Sequence, residues 1–198
     1  MKANNIANSI VAMEREDSKL RGKLIKNGTI SKSYDKEMEA LHNRNAKKLN
    51  DIIDSIGYPT ANKVGKEASD AAWLIIQHSI GQPTFMRKCL HLLEEVVNEN
   101  KADSINMAYL TDRIAAFENR PQLYGTQFDW DENGELNPNS FDDLEKVNQR
   151  RKSTGLSTLE EQIKVMRERA KNEKQSPPRD FIERKREVEK WKQSVGWT

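Results

Sequence analysis

Val64-Gly65-Lys66-Glu67-Ala68-Ser69-Asp70-Ala71-Ala72-Trp73-Leu74-Ile75-Ile76-Gln77-His78 reads as a helix that is apolar on more than one side, since Trp73, Leu74, Ile75 and Ile76 follow Ala68, Ala71 and Ala72. Such a helix belongs at the centre of a helical domain, covered by others. Gly81-Gln82-Pro83 stops it. Pro83 opens the next helix, where its missing N–H costs nothing, and Met86, Cys89, Leu90, Leu93, Val96 and Val97 form that helix's buried stripe. Toward the N-terminus, Met38, Leu41, Leu49, Ile52, Ile53 and Ile56 keep helical spacing until Gly57-Tyr58-Pro59. Ile6, Ile10, Met13, Leu20 and Leu24 do the same until Asn27-Gly28. A fifth helix starts near Asp103-Ser104, both good N-cap residues, and carries Ile105, Ala108, Ala115 and Ala116. Five successive stripes predict an all-α, multi-helix domain.

From Arg120 the helical period disappears, and Asp131-Glu132-Asn133-Gly134 is a turn signal. The expectation is a small irregular or hairpin insertion over 120–138. A short helix carrying Val147, Arg150 and Arg151 then runs to Gly155, and Ser157 with Glu160 has the spacing of a capping box for another. The reading is a helical core domain over 1–156 and an extended, charged helical C-terminal tail over 157–198. In the tail, Trp191 and Trp197 are the aromatic anchors.

Composition narrows the function. With 33 basic and 31 acidic residues the net charge is only +2, which gives no electrostatic footprint for nucleic acid. The basic residues of Arg150-Arg151-Lys152 and of the tail alternate with glutamates, as on a solvated, salt-bridged helix face. One cysteine, Cys89, excludes an intramolecular disulfide and a cysteine-built zinc site. The N-terminal segment lacks the apolar core of a signal peptide, and no run approaches the length of a membrane span; the expected location is cytoplasmic.

Several stripes carry one ionisable residue each. Asp17 falls four after Met13 and three before Leu20; His42 and Asn45 share a seam with Met38, Leu49 and Ile52. His78 continues the row Val64, Ala68, Ala71, Ile75, and Asp112 continues Ile105 and Ala108, with Arg113 beside it. Burying such groups unpaired costs several kcal/mol each in rough terms, so they should meet and satisfy one another. One reading is a structural polar network. Another is a pocket for a small polar ligand in which His78 or His42 serves as general acid or base, oriented by Asp112, with Asp17, Asn45 and Arg113 holding the ligand. The loop Arg120–Gln127 adds Gln122, Tyr124 and Gln127 as candidate ligand contacts. The histidines and aspartates also have the donor set for a divalent metal, although no short ligand motif such as His-Glu-x-x-His is present. No particular ion or cofactor is assigned. His91, among Arg87, Lys88, Glu94 and Glu95, should face solvent.

The strings Gly57-Tyr58-Pro59, Val64-Gly65, Ala71-Ala72-Trp73-Leu74-Ile75-Ile76-Gln77-His78, Ala108-Tyr109-Leu110-Thr111-Asp112-Arg113 and Arg120-Pro121-Gln122-Leu123-Tyr124-Gly125-Thr126-Gln127 resemble a bacterial family known as domain of unknown function 6624. Asp17 with Arg21, and His42 with Asn45, resemble its upstream part, and Arg150-Arg151 with Gly155-Leu156 its closing motif. Arg21 and Gln77 join the candidate ligand contacts through these strings. The resemblance spans roughly Asp17 to Gly155 and implies no reaction, cofactor or partner. The expected function is therefore small-molecule binding or modification of hydrolase or transferase type by histidine acid–base chemistry; the alternative is a non-catalytic interaction module whose partner meets the tail.

Overall fold

The computed structural model describes residues 3–27 and 34–198. They divide into two compact units, Met1–Asp103 and Ser104–Thr198. The boundary expected between 156 and 157 falls inside the second unit. The architecture is all-α, with one two-stranded hairpin among the described residues.

The first unit holds α1 (Ala3–Lys26), α2 (Lys36–Ile56), α3 (Ala61–Val64), α4 (Lys66–His78) and α5 (Pro83–Asn98). α4 is its centre, packed by α1, α2, α3 and α5. It buries Ala68, Ala71, Ala72, Ile75, Ile76 and Gln77, and its polar face is confined to the first turns, where Lys66, Glu67 and Asp70 are exposed. The helix read as continuous from Val64 is broken at Gly65, whose φ of 83° suits glycine and makes α3 a separate turn. Asp35 caps α2, its side chain accepting the N–H groups of Glu37 and Met38. Pro83 stands in the first turn of α5.

The second unit begins with α6 (Ser104–Phe117). β1 (Phe128–Trp130) pairs antiparallel with β2 (Leu136–Pro138), Asp129 opposite Asn137, and so places a hairpin inside the expected insertion. Three helices follow: α7 (Leu144–Ser153), α8 (Leu159–Asn172) and α9 (Phe181–Val195). α8 opens on a capping box formed by Thr158 and Glu161, one residue later than the Ser157–Glu160 spacing suggested. That register buries Leu159 completely.

The C-terminal helices are integral to this unit. Trp197 is buried and stacked on Phe117 of α6, ring centres 4.9 Å apart, with Trp191 edge-on to the same ring at 5.8 Å. Lys192 is also buried, its ammonium donating to Glu189 Oε1 at 2.8 Å and to Asn119 Oδ1. α8 packs on β2, where Arg167 Nη2 donates to Glu135 Oε2 and Asn137 Oδ1. No helix among the described residues is long and apolar enough to cross a membrane.

Candidate functional site

The inward stripe of α1 runs Ile6, Ile10, Met13, Asp17, Leu24, and all but Asp17 are apolar. A carboxylate at that position, 1% exposed, requires polar partners. α2 and α4 supply them. His42 stands on the buried face of α2 with Met38, Leu41, Asn45 and Leu49, and His78 is the last residue of α4. His78 Nδ1–H donates to both Asp17 oxygens, 3.1 Å from each. His42 Nε2 lies 2.9 Å from Asp17 Oδ2. The two rings approach each other with centres 5.1 Å apart. Three helices thus bring one carboxylate and two imidazoles together.

The electrostatics follow from this geometry. Burial by itself raises the Asp17 carboxyl, but the close approach of the His42 ring, the hydrogen bonds from His78 and the fields of both rings outweigh it and hold the group well below the usual carboxylate range. Asp17 is therefore an anion at neutral pH. The His42 contact is short but bent: Nε2 is buried and directs no well-formed hydrogen bond at a described residue, although Oδ2 is within ion-pair distance. On the other side of that ring, Tyr34 Oη sits 2.6 Å from His42 Nδ1. Burial, with the charges of Glu39 and Asp17, pushes the Tyr34 phenol far up, so it stays protonated. A chain of contacts results, Tyr34–His42–Asp17–His78. Its outer end is His78, whose side chain is 23% exposed and whose Nε2 bonds to no described residue. Asn45, one turn along α2 from His42, is fully buried; its Nδ2 donates to Met13 O at 3.3 Å, and its Oδ1 has no partner among the described residues.

The other predicted residues are placed differently. Asp112, expected to orient His78, is buried in the second unit and serves its own loop: Oδ1 accepts from Leu123 N (2.8 Å) and Tyr124 N (3.0 Å), and Oδ2 from Thr126 N (2.8 Å). The carboxylate that orients His78 is Asp17. Burial pushes the Asp112 carboxyl up, opposed by the N–H groups of Thr126, Tyr124 and Leu123. Gln122 is also buried and staples the same loop, donating to Gln127 O and Asn139 O at 3.0 Å while accepting from Gln127 N at 2.7 Å. Gln127 Nε2 donates to Thr126 Oγ1, and the Tyr124 carbonyl accepts from Arg151 Nη1 at 2.7 Å. Arg113 belongs to the same unit, and burial lowers its guanidinium to about 10. In the first unit, Arg21 is exposed on α1 one turn after Asp17, and Gln77 is buried on α4. His91 is exposed, 3.4 Å from Glu95.

Two residues escaped the sequence reading. Tyr34 precedes the cap of α2 and lies on no periodic stripe. Arg151 was grouped with a solvated basic run but is 1% exposed, held by Ser157 O at 2.5 Å and Tyr124 O. Its position four after Val147, which is fully buried, was the available signal.

Fold and site together define a helical protein with a buried carboxylate between two histidines. The chain belongs to a family of unknown function, DUF6624, whose model matches residues 4–174. That match extends beyond the span of the sequence resemblance at both ends and takes in all three cluster residues. No curated protein and no solved structure matches the chain.

Proposed function

We propose that this chain modifies a small polar molecule at the Asp17–His42–His78 cluster, in a reaction of hydrolase or transferase type that depends on proton transfer. One observation carries the reading: an anionic carboxylate 1% exposed is shared by two imidazoles, one of which reaches the surface. A purely structural network gains most when every member is sealed and satisfied. Here His78 Nε2 is uncommitted at the outer edge, while Nδ1 is fixed against Asp17. A ring held at one nitrogen and open at the other is the arrangement in which histidine gives or takes a proton from a bound molecule. The alternative, an interaction module whose partner meets the tail tryptophans, has less to support it, because Trp197 is buried on Phe117 and Trp191 is half-buried.

The test is a thermal-shift screen of the full chain against a library of small polar metabolites, since a ligand of the native state raises the melting temperature. A hit is expected to be followed by turnover or tight binding that Asp17→Asn and His42→Ala both weaken. A hit whose affinity and turnover are unchanged in both variants would place the site elsewhere.

A further inference from the structure

We propose that Asp17, His42 and His78 form the binding site of a divalent transition-metal ion of the zinc type. This rests on the reading of the cluster as the reaction centre and names its cofactor; with an ion bound, His78 Nδ1 would give its lone pair to the metal in place of the proton it shares with Asp17, leaving Nε2–H as the proton donor at the outer edge.

The donor geometry is the first argument. One carboxylate oxygen and two imidazole nitrogens from α1, α2 and α4 all lie within 4.8 Å of one another. Donors about 2.1 Å from a tetrahedral ion sit roughly 3.4 Å apart. The separations of 2.9 and 3.1 Å between Asp17 and the two rings are shorter than that spacing by roughly half an ångström or less, so the donors would move slightly apart around an ion.

The direction of His42 is the second. Two groups joined by a hydrogen bond point at each other; two groups that share a metal lie a similar distance apart but point at a third position. His42 Nε2 is 2.9 Å from Asp17 Oδ2, yet buried without a well-directed bond to a described residue. An orphaned ring nitrogen in an otherwise packed helix interface is costly unless something else takes its lone pair.

The surroundings are the third. A metal-ligating histidine normally has its other nitrogen fixed by an outer partner, and Tyr34 Oη occupies that place at His42 Nδ1, 2.6 Å away. With a metal on Nε2 the ring proton belongs on Nδ1, which donates it to the phenolic oxygen. Three protein ligands leave a fourth position for water, and the partial exposure of His78 gives that position a route to solvent. Asn45 Oδ1, buried and unpartnered among the described residues on the same face of α2, is an acceptor still available nearby. Two nitrogen donors favour zinc-type ions over magnesium or calcium, which prefer all-oxygen sets. The ion would supply Lewis acidity and a water acidified enough to act at neutral pH.

The experiment is titration of the chelator-stripped full chain with Zn2+ by calorimetry and with Co2+ by visible spectroscopy. One equivalent is expected to bind, Co2+ giving the d–d bands of a low-coordinate site, with Mg2+ not competing. His42→Ala and His78→Ala should each weaken Zn2+ binding at least 100-fold, and His91→Ala should leave it unchanged. Circular dichroism checks that the variants are folded. Tyr34→Phe keeps all three ligands and guards against misfolding of the others; it is expected to weaken binding about tenfold, as loss of an outer partner does. Absence of stoichiometric binding to folded wild type, or binding indifferent to His42→Ala and His78→Ala, overturns the metal site. Chelator-resistant turnover that still needs Asp17 would remove the metal while keeping the reaction centre. Metal binding combined with full turnover in the ligand variants would do the reverse.

Discussion

Replacing Asp112 by alanine is expected to release the loop that follows α6. In the native chain this carboxylate, fully buried, accepts three backbone N–H groups from Leu123, Tyr124 and Thr126. Alanine removes all three acceptors at once. Leu123 is exposed, so water can satisfy its amide, whereas Thr126 is buried and Tyr124 half-buried. Each buried amide left without a partner costs roughly 1–3 kcal/mol, so the two inner ones together give a loss of about 2–6 kcal/mol. That is a large part of the roughly 5–15 kcal/mol that stabilises a typical domain. Asp112→Asn should fall between: its single carbonyl can still serve Leu123 and Tyr124, but its NH2 group confronts the Thr126 N–H, donor against donor. Urea denaturation followed by tryptophan fluorescence gives the global loss, and hydrogen exchange at residues 123, 124 and 126 locates it. If Asp112→Ala unfolds within about 0.5 kcal/mol of wild type and those amides keep their protection, the loop is held by something else and the reasoning is wrong.

Burial pushes the Cys89 thiol up to about 12, so Ellman's reagent should leave it untouched at pH 8 in the folded chain and titrate one thiol after denaturation. The sign follows from the raised value: the neutral thiol is favoured in the fold, so its contribution is intact below the unfolded value near 9 and is lost as pH rises from there toward 12. Gly125→Ala should destabilise the second unit by about 2–3 kcal/mol in chemical denaturation, because φ is 64° there and a Cβ would stand 2.8 Å from Leu159 Cδ1. Trp197→Ala should cost about 3 kcal/mol and expose Phe117, measurable as a fall in melting temperature; an unchanged value would mean that the C-terminus is not docked.

Much of the first unit was legible because helical periodicity reports which residues share a face. Asp17, His42 and His78 each interrupt an apolar stripe, and burial of a polar group demands a partner, so the existence of a buried polar cluster followed from local pattern. Partner choice did not. Asp112 interrupts its stripe in the same way, but α6 turns that face toward its own following loop, and no spacing rule distinguishes a loop amide from a distant imidazole. Tyr34 stands outside any helix, where period carries no information, so the support of His42 was invisible. The capping box at α8 illustrates a degenerate signal: Ser157-Thr158-Leu159-Glu160-Glu161 fits either register, and the burial of Leu159 settles it. For Arg151 charge suggests solvent, whereas its guanidinium finds carbonyl acceptors inside the fold.

The most direct measurement of the central claim compares His78→Ala with His91→Ala against whichever small molecule stabilises the wild-type chain. His78 touches Asp17 at the open edge of the cluster, and His91 lies 75% exposed on a charged face. The expected result is that His78→Ala remains folded by circular dichroism and loses turnover or ligand binding at least 100-fold, while His91→Ala matches wild type in both. Full activity in folded His78→Ala would contradict the assignment of the reaction centre.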